Sequence, residues 1–306
     1  MPTLLKMRSA LALPLRRWVL RAFPREPGGI NYDEPLGDAG LFQSNSVVWR
    51  IHADFAGMLS GGLCALMLQT LHPAALAGVW DHSNFRDDLI GRLRRTTNFV
   101  AGTTYAPSAE AQRLIERVRR IHSKVRGLTE NAAPYRADDP ALLTWVHVTE
   151  TYGFLQGYRR YAGRVPRADA DRYYDETRQI AEALGAREVP RSETDVDEYF
   201  VGAQTQLAFT ERSRTVLQIL QCMKLPVPLP SLSRDIFLGA GAALLPDWAV
   251  ELLQRSTIHK FRPQLAAKTL RMISPLFRSG LNDGAAQRAC RRIGKDPAWV
   301  RRPFGA

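Results

Sequence analysis

Apolar residues recur at helical spacing along most of the chain after residue 45. Residues 47–71 are apolar on most faces, and this pattern ends at His72-Pro73 because a residue before proline avoids the helical conformation. Residues 109–128 carry an apolar stripe at three-to-four spacing, which predicts one long helix opened by Pro107-Ser108. The stripe consists of Leu114, Ile115, Val118, Ile121, Val125 and Leu128.

Further helices are predicted at about 87–100, from about 140 onward, and at about 168–185, 194–223, 246–258 and 263–277. No run of alternating strand residues and no internal repeat is present. The proline-rich segment 224–234 is interpreted as an internal loop. We therefore expect an all-α protein with a single helical domain at 46–285. A loop-rich basic arm at 1–45 precedes it, and a basic tail at 286–306 follows it.

The formal net charge of +12 is concentrated at the two ends of the chain. Residues 1–26 hold six basic side chains against one acidic, and residues 285–306 hold the same numbers. Such ends suit an anionic partner such as a phospholipid headgroup layer or RNA, or they serve only to keep the protein soluble. The middle of the chain is nearly neutral, so no specific nucleic-acid partner is expected.

Cysteine usage and hydropathy indicate a soluble protein of a reducing compartment. The three cysteines are far apart and form no CxxC, which excludes a disulfide framework, a zinc ribbon and covalent haem attachment through CxxCH. No apolar stretch reaches a spanning length without charge, glycine or proline. We expect a cytoplasmic protein whose basic ends can contact a membrane surface.

Most familiar catalytic signatures are absent. The chain has no P-loop, no HExxH or Glu-x-x-His pair and no GxSxG elbow. The glycines at 239 and 241 begin like a dinucleotide fingerprint, but they follow no strand-rich unit and lack the third glycine.

One predicted helix places a histidine between two arginines. Arg119, His122 and Arg126 fall at i, i+3 and i+7, so they share a face beside the apolar stripe. An imidazole in this position can ligate haem iron while guanidinium groups bind the haem propionates. The alternative is a core histidine bonded to a backbone carbonyl. On the preceding helix Arg92 and Thr96 share a face and can donate hydrogen bonds to dioxygen in a distal pocket.

An ordered set of motifs resembles the MpaB/rubber-oxygenase (latex-clearing protein) catalytic domain family. The set begins with the residues from Ser46 to His52, from Leu68 to Val79 and from Asp81 to Ser83. It continues with Arg92-x-x-x-Thr96, Arg119-x-x-His122-x-x-x-Arg126 and the segment from Asp139 to His147. The similarity covers residues from about 45 to about 260.

The resemblance implies a globin-like helical core with extra flanking helices and one non-covalently bound b-type haem. His122 would be the proximal iron ligand, and Arg92 and Thr96 would line the distal side. His147 would lie close to the haem, with Arg119 and Arg126 supporting the haem or its ligand helix. Members of the family insert dioxygen across a carbon–carbon double bond of an isoprenoid chain.

Two positions depart from the rubber-cleaving pattern. Arg95 stands where those members carry a lysine able to cap the iron, and a guanidinium is a poor metal ligand. No acidic base aligns, so Asp81 and Glu150 are candidates only. We interpret His72, which precedes a proline, as structural.

Three functions follow from these observations. The first is a haem b-dependent oxygenase that uses dioxygen on a hydrophobic, isoprenoid or lipid-like small molecule. The second is a haem-binding sensor, carrier or electron-transfer protein, which ligation of the iron by both His122 and His147 would favour. The third is a helical membrane- or RNA-associated protein without haem.

Overall fold

Short connections link a series of helices from residue 47 onward. A computed structural model describes residues 14, 16–22, 24, 29–227 and 229–305. Its helices are α1 (Val47–His52), α2 (Phe55–Gln69), α3 (Pro73–His82), α4 (Leu89–Tyr105), α5 (Ser108–His122), α6 (Pro140–Tyr161), α7 (Arg167–Leu184), α8 (Glu193–Ala203), α9 (Glu211–Cys222), α10 (Pro230–Ala242), α11 (Asp247–Leu252), α12 (Arg255–His259), α13 (Pro263–Gly280) and α14 (Ala285–Arg292). Two 3₁₀ segments lie at Gln204–Gln206 and Pro297–Arg301, and strands β1 (Arg126–Leu128) and β2 (Pro134–Arg136) pair antiparallel.

Helices α2 and α6 form the centre of the fold and meet at four glycines. A Cβ atom at Gly61 would overlap the carbonyl oxygen of Gly153, and a Cβ at Gly157 would overlap that of Gly57. Glycine costs a helix about 1 kcal/mol relative to alanine. Four interior glycines are therefore explained by the backbone contact that only they permit. Around the crossing, α6 buries Trp145 and Leu155 in the main core.

A second layer, α10 and α13, covers α2. A Cβ atom at Gly239 would overlap the carbonyl oxygen of Phe261, so α10 lies tightly against the segment that leads into α13. The Tyr161 hydroxyl at the end of α6 donates to the carbonyl of Ala240 at 2.7 Å, and Ser274 Oγ of α13 donates to the Tyr161 carbonyl at 2.9 Å. Hydrogen bonds from and to one residue therefore join the C-terminal end of α6 to both covering helices.

The all-α expectation is confirmed, since 67% of the described residues are helical. The long helix predicted at 109–128 is wrong in its last turn: α5 ends at His122, and Arg126 begins strand β1. Val125 N donates to the His122 carbonyl, a hydrogen bond between residues three apart. This tight turn directs the chain away from the axis of α5. Gly127 then faces the ring of Tyr135, where a Cβ would lie 2.9 Å from the hydroxyl oxygen.

Other boundaries differ where capping residues interrupt an apolar pattern. Residues 47–71 form two helices, because the Asp54 carboxylate accepts from Gly57 N and starts α2. The helix expected at 194–223 is broken before Thr210, which caps α9 reciprocally with Ser213. The helix expected at 246–258 is likewise two, α11 and α12. Helices α10 and α14 were not predicted at all.

Residues 285–302 are folded against the rest of the protein. Arg292 is almost fully buried, and its Nη1 donates to the carbonyls of Tyr32 and Tyr105 at 2.9 Å each. The other basic side chains of this segment also bind protein groups: Arg288 with Asp33, Arg291 with Asp283, Lys295 with Ser44, Arg301 with Leu281 and Arg302 with Asp296.

Part of the basic N-terminal arm lies outside the described residues, including Lys6, Arg8 and Arg25. Residues 16–22 are helical, and residues 29–45 consist of turns and extended segments. The boundaries of arm, domain and tail stay predictions. Across the described ranges no single helix is long and apolar enough to cross a membrane. The pair α2 and α3 has the length and composition of a membrane span when taken together, but the two helices are bent by 104°.

Replacing Gly153 by alanine should destabilise the protein by roughly 1–3 kcal/mol, because the added methyl must displace the α2 backbone. Gly62→Ala, on the same pair of helices, is the control. Its Cβ would lie 3.6 Å from Phe154 Cε1, an ordinary contact, so it should be neutral or stabilising. Urea unfolding followed by far-UV circular dichroism measures both. Equal stability of the two variants would contradict the crossing argument.

Candidate functional site

The hairpin of α4 and α5 carries three of the predicted site residues, Arg92, Thr96 and His122. Asp88 caps α4 by accepting from Gly91 N at 2.8 Å, and Ala106-Pro107 turns the chain back into α5. A Cβ atom at Gly102 would overlap the Leu114 side chain, so α4 and α5 pack closely near the turn that joins them. Arg92 and Thr96 lie near the N-terminal end of α4, and His122 is the last residue of α5. Thr96 is exposed there, and its hydroxyl donates to the Arg92 carbonyl at 3.3 Å.

His122 ends α5 as a half-buried side chain. Burial lowers the pKa of its imidazole below the usual value, and the charge of Asp138 partly opposes this change. The ring is therefore neutral at pH 7, the form that binds a metal. Its Nδ1 atom is buried and has no hydrogen-bond partner among the described residues. A buried polar atom without a partner is costly, and this one leaves a ring nitrogen of His122 available to a ligand.

Arg92 faces Glu150 of α6 across the interior. Burial and the neighbouring Arg95 lower the pKa of the Arg92 guanidinium, and Glu150 opposes them. Burial raises the pKa of Glu150 to about 7, although the positive charge of Arg92 acts to lower it. Among the described residues neither side chain has a hydrogen bond or an ion pair within 4 Å. The pair therefore combines an unneutralised cation with a carboxyl group that is partly protonated at neutral pH.

His147 lies one turn before Glu150 on α6 and close to His52 of α1. Burial lowers the pKa of His147 to about 4, and burial together with His147 lowers that of His52 to about 3. His52 is fixed at both nitrogens: Nδ1 is 2.8 Å from Thr104 Oγ1, and Nε2 is 2.9 Å from the Tyr173 hydroxyl. The His147 ring has no hydrogen-bond partner in the part of the chain that the structure describes.

These interior groups line a space within the fold. His52, Arg92, His147 and Glu150 are only half-buried by accessible surface, yet burial among protein atoms is the largest cause of each pKa shift. A side chain that protein encloses and that keeps accessible surface borders a cavity or a deep cleft. Helices α1, α4 and α6 together therefore surround a polar, weakly hydrated space.

Arg126 does not share a helical face with Arg119 and His122 as the sequence predicted. Arg119 is exposed on α5, and Arg126 is an exposed strand residue paired with Arg136. The reason is the end of α5 at His122, which gives Arg126 strand geometry. Their predicted roles at a cofactor stay predictions that nothing in the geometry tests.

The remaining sequence candidates have protein partners. Arg95 Nη2 donates to Asn84 Oδ1 at 3.1 Å, and its Nη1 lies 3.8 Å from Asp88 Oδ2. Asp81 accepts from the Tyr135 hydroxyl at 2.8 Å. The His72 ring packs 5.8 Å from the Trp145 ring, in agreement with a structural role. Of the two candidate acids, Asp81 and Glu150, only Glu150 has no hydrogen bond or ion pair among the described residues.

Sequence reasoning gave no role to His52, Thr104 or Tyr173. His52 stood inside one of the quoted motifs, and this was the only signal for it. The contacts to Thr104 and Tyr173 join residues 52 and 121 positions apart in sequence, so no local pattern could reveal them.

The fold and the site define an all-α protein with ionisable groups around an enclosed polar space. The model of the family described as ER-bound oxygenase mpaB/B'/Rubber oxygenase, catalytic domain, matches residues 49–273, well over half of the chain. The protein therefore belongs to this family and is an oxygenase-type enzyme, for which the family implies dioxygen and a hydrophobic substrate. No curated protein and no solved structure matches the chain.

The donor set fits one cofactor class better than another. Among the described residues no group of three or more histidine, cysteine or acidic side chains is placed to hold a bare metal ion. A haem needs only one or two axial side chains. The neutral ring of His122, with its buried Nδ1 unpartnered, meets this requirement, and His147 is a second neutral ring without a hydrogen bond.

The pKa of Glu150 predicts a pH-dependent stability. Because the fold raises it from the usual 4.5 to about 7, the stabilisation by the neutral carboxyl is present below pH 4.5 and is lost as pH rises to about 7. His52 and His147 act oppositely, since their lowered pKa values reduce stability as pH falls below 6.5. We therefore expect Glu150→Gln to gain stability relative to wild type as pH rises from 4.5 to 7.

Urea unfolding of both proteins across this pH range measures the difference, in which the histidine contributions cancel. Asp197→Asn, at an exposed acid of α8, is the matched control. A difference between wild type and Glu150→Gln that does not change with pH would show that Glu150 is an ordinary solvated carboxylate.

Proposed function

We propose that this protein is a haem b-dependent oxygenase that acts on a hydrophobic, isoprenoid or lipid-like small molecule. The observation that carries the haem assignment is the His122 ring, neutral and with its buried Nδ1 unpartnered at the end of α5. The family match supplies the oxygenase class and covers every residue invoked. A bound haem would supply the iron at which dioxygen is activated.

The residues around the space have distinct proposed tasks. His122 would hold the iron through its unpartnered ring nitrogen, and Arg92, aided by the Thr96 hydroxyl, would stabilise negative charge that develops during the reaction. Glu150, with a pKa of about 7, holds a proton near Arg92 and can give it up or take it back at neutral pH. His147 and the fixed ring of His52 close the space from α6 and α1. Arg119 and Arg126 are proposed to support the cofactor from outside.

A specific observation favours a second candidate function. Since His147 is also neutral and has no hydrogen bond among the described residues, it would be a second iron ligand beside His122 in that case. Iron held by two histidines has no open position for dioxygen, and the protein would then be a haem-binding sensor, carrier or electron-transfer protein. Binding of carbon monoxide to the reduced protein without loss of a protein ligand would exclude this candidate.

A cytoplasmic location with peripheral membrane contact through the basic N-terminal arm is part of the proposal.

His122→Gly should abolish or strongly shift the Soret band of protein produced with haem supply, because the iron loses its proximal ligand. Added imidazole should restore the band, since it can enter the space that the side chain vacates. His259→Ala, at an exposed histidine of α12, is the control and should keep the wild-type spectrum. A colourless wild type after haem addition would overturn the haem assignment. An unchanged spectrum in His122→Gly would assign the ligand elsewhere.

Arg92→Leu should lower the rate of oxygen uptake with a squalene emulsion by about a hundredfold, the size of effect expected for one electrostatic group at a reacting centre. Arg113→Leu, an exposed arginine of α5 paired with Glu110 at 2.7 Å, is the control and should retain activity. The Soret spectrum of Arg92→Leu should stay close to wild type. Full activity in this variant would remove Arg92 from the proposed site.

A further inference from the structure

A second site candidate lies at the opposite end of α6, on the protein surface. Two adjoining cavities of about 430 and 540 Å³ share Arg159, Arg160 and Arg271 in their walls. The first also borders Arg164, and the second also borders Lys268. We call this pair of cavities the basic groove. Its total size is within the range of small-molecule sites.

Four of the five cations in the basic groove have no acidic partner. Arg159 is neutralised by Glu193, to whose Oε2 its Nη2 donates at 2.9 Å. Arg160 donates to the neutral Gln264 side chain at 3.2 Å and also interacts with the Tyr161 hydroxyl, another neutral group. Arg164, Lys268 and Arg271 are exposed, and their side chains have no ion pair or hydrogen bond to a described residue. No acidic residue lines either cavity.

The position of these cations is not explained by helix electrostatics alone. Arg159 and Arg160 lie in the last turn of α6, where the helix dipole favours a positive charge. Arg164 follows the helix, and Lys268 and Arg271 come from α13, about a hundred residues later in the chain. Like charges from two elements repel one another around one concavity. Such an arrangement is stabilised when an anion occupies the space between them.

We infer that the basic groove binds a phosphate group of high charge, such as a diphosphate or a phosphomonoester. Guanidinium groups match phosphate oxygens in pairs of parallel hydrogen bonds, and a lysine adds a point charge. Ala243, Leu244 and Ala267 form an apolar part of the wall, which suits an ester carbon chain attached to the phosphate. The inference does not depend on the proposed oxygenase chemistry.

The phosphate group has two chemical sources, a lipid headgroup or a soluble phosphate ester. Leu265 and Met272 are 60% and 74% exposed on α13 and lie at i and i+7, with Lys268 on the same face between them. Exposed apolar side chains beside cations are typical of surfaces that lie on an anionic headgroup layer. If the phosphate belongs to a lipid, Leu265 and Met272 should contribute to membrane binding; if it belongs to a soluble ester, they should not.

The test is calorimetric titration of the full-length protein with inorganic pyrophosphate. Lys268→Gln/Arg271→Gln should weaken binding at least about tenfold, because charge-assisted hydrogen bonds are lost. Arg117→Gln/Arg120→Gln is the matched control, since it removes the same charge at the same spacing from exposed positions of α5. This control should bind pyrophosphate within about twofold of wild type at physiological salt. Thermal unfolding checks that both variants are folded.

Sedimentation with phosphatidic acid vesicles, against phosphatidylcholine vesicles, identifies the source. If Leu265→Ser/Met272→Ser loses vesicle binding while keeping pyrophosphate affinity, the groove binds a lipid headgroup. If wild type binds pyrophosphate but no vesicles, it binds a soluble phosphate ester. Absence of pyrophosphate binding in folded wild type overturns the inference. Equal weakening in the two charge variants also overturns it, because attraction by net charge would then suffice.

Discussion

The backbone contact between α2 and α6 constrains where every functional side chain of α6 lies. Gly57 and Gly61 on one helix and Gly153 and Gly157 on the other remove the side chains that normally separate packed helices. Neither helix can rotate without driving a Cβ or a carbonyl into its neighbour. The face of α6 that carries Glu150 is therefore fixed toward α1 and α4.

The same fixed helix explains how polar groups remain inside the protein without mutual neutralisation. Glu150 and Arg92 are near enough to influence each other's pKa but form no ion pair within 4 Å. An ion pair would have satisfied both groups and lowered the energy of the folded state. Because the scaffold holds them apart, a proton can reside on Glu150 at neutral pH while Arg92 keeps its charge for another partner. His52, in contrast, is fully hydrogen-bonded and acts as a wall of the space.

The two ends of α6 carry different kinds of side chain. Its first half carries one neutral histidine, His147, and the acid Glu150 beside α4, whereas its last turn carries arginines at the surface. The Tyr161 hydrogen bonds to Ala240 and from Ser274 anchor that last turn to α10 and α13, and they bring Lys268 and Arg271 beside it. The polar space inside the fold and the basic groove at the surface thus lie at different positions along one helix.

The sequence by itself determined the helical class, most of the helices and the family, because helical periodicity and ordered motifs are local properties. It also placed Arg92, Thr96 and His122 on helices, whereas their roles at a cofactor stay predictions. The break after His122, the helix beginning at Pro230 and the partners of His52 needed the tertiary structure. Caps, strand pairing and contacts over a hundred residues depend on which segments meet in space. These features are stabilised by packing between segments that are distant in sequence, which a short stretch of sequence does not reveal.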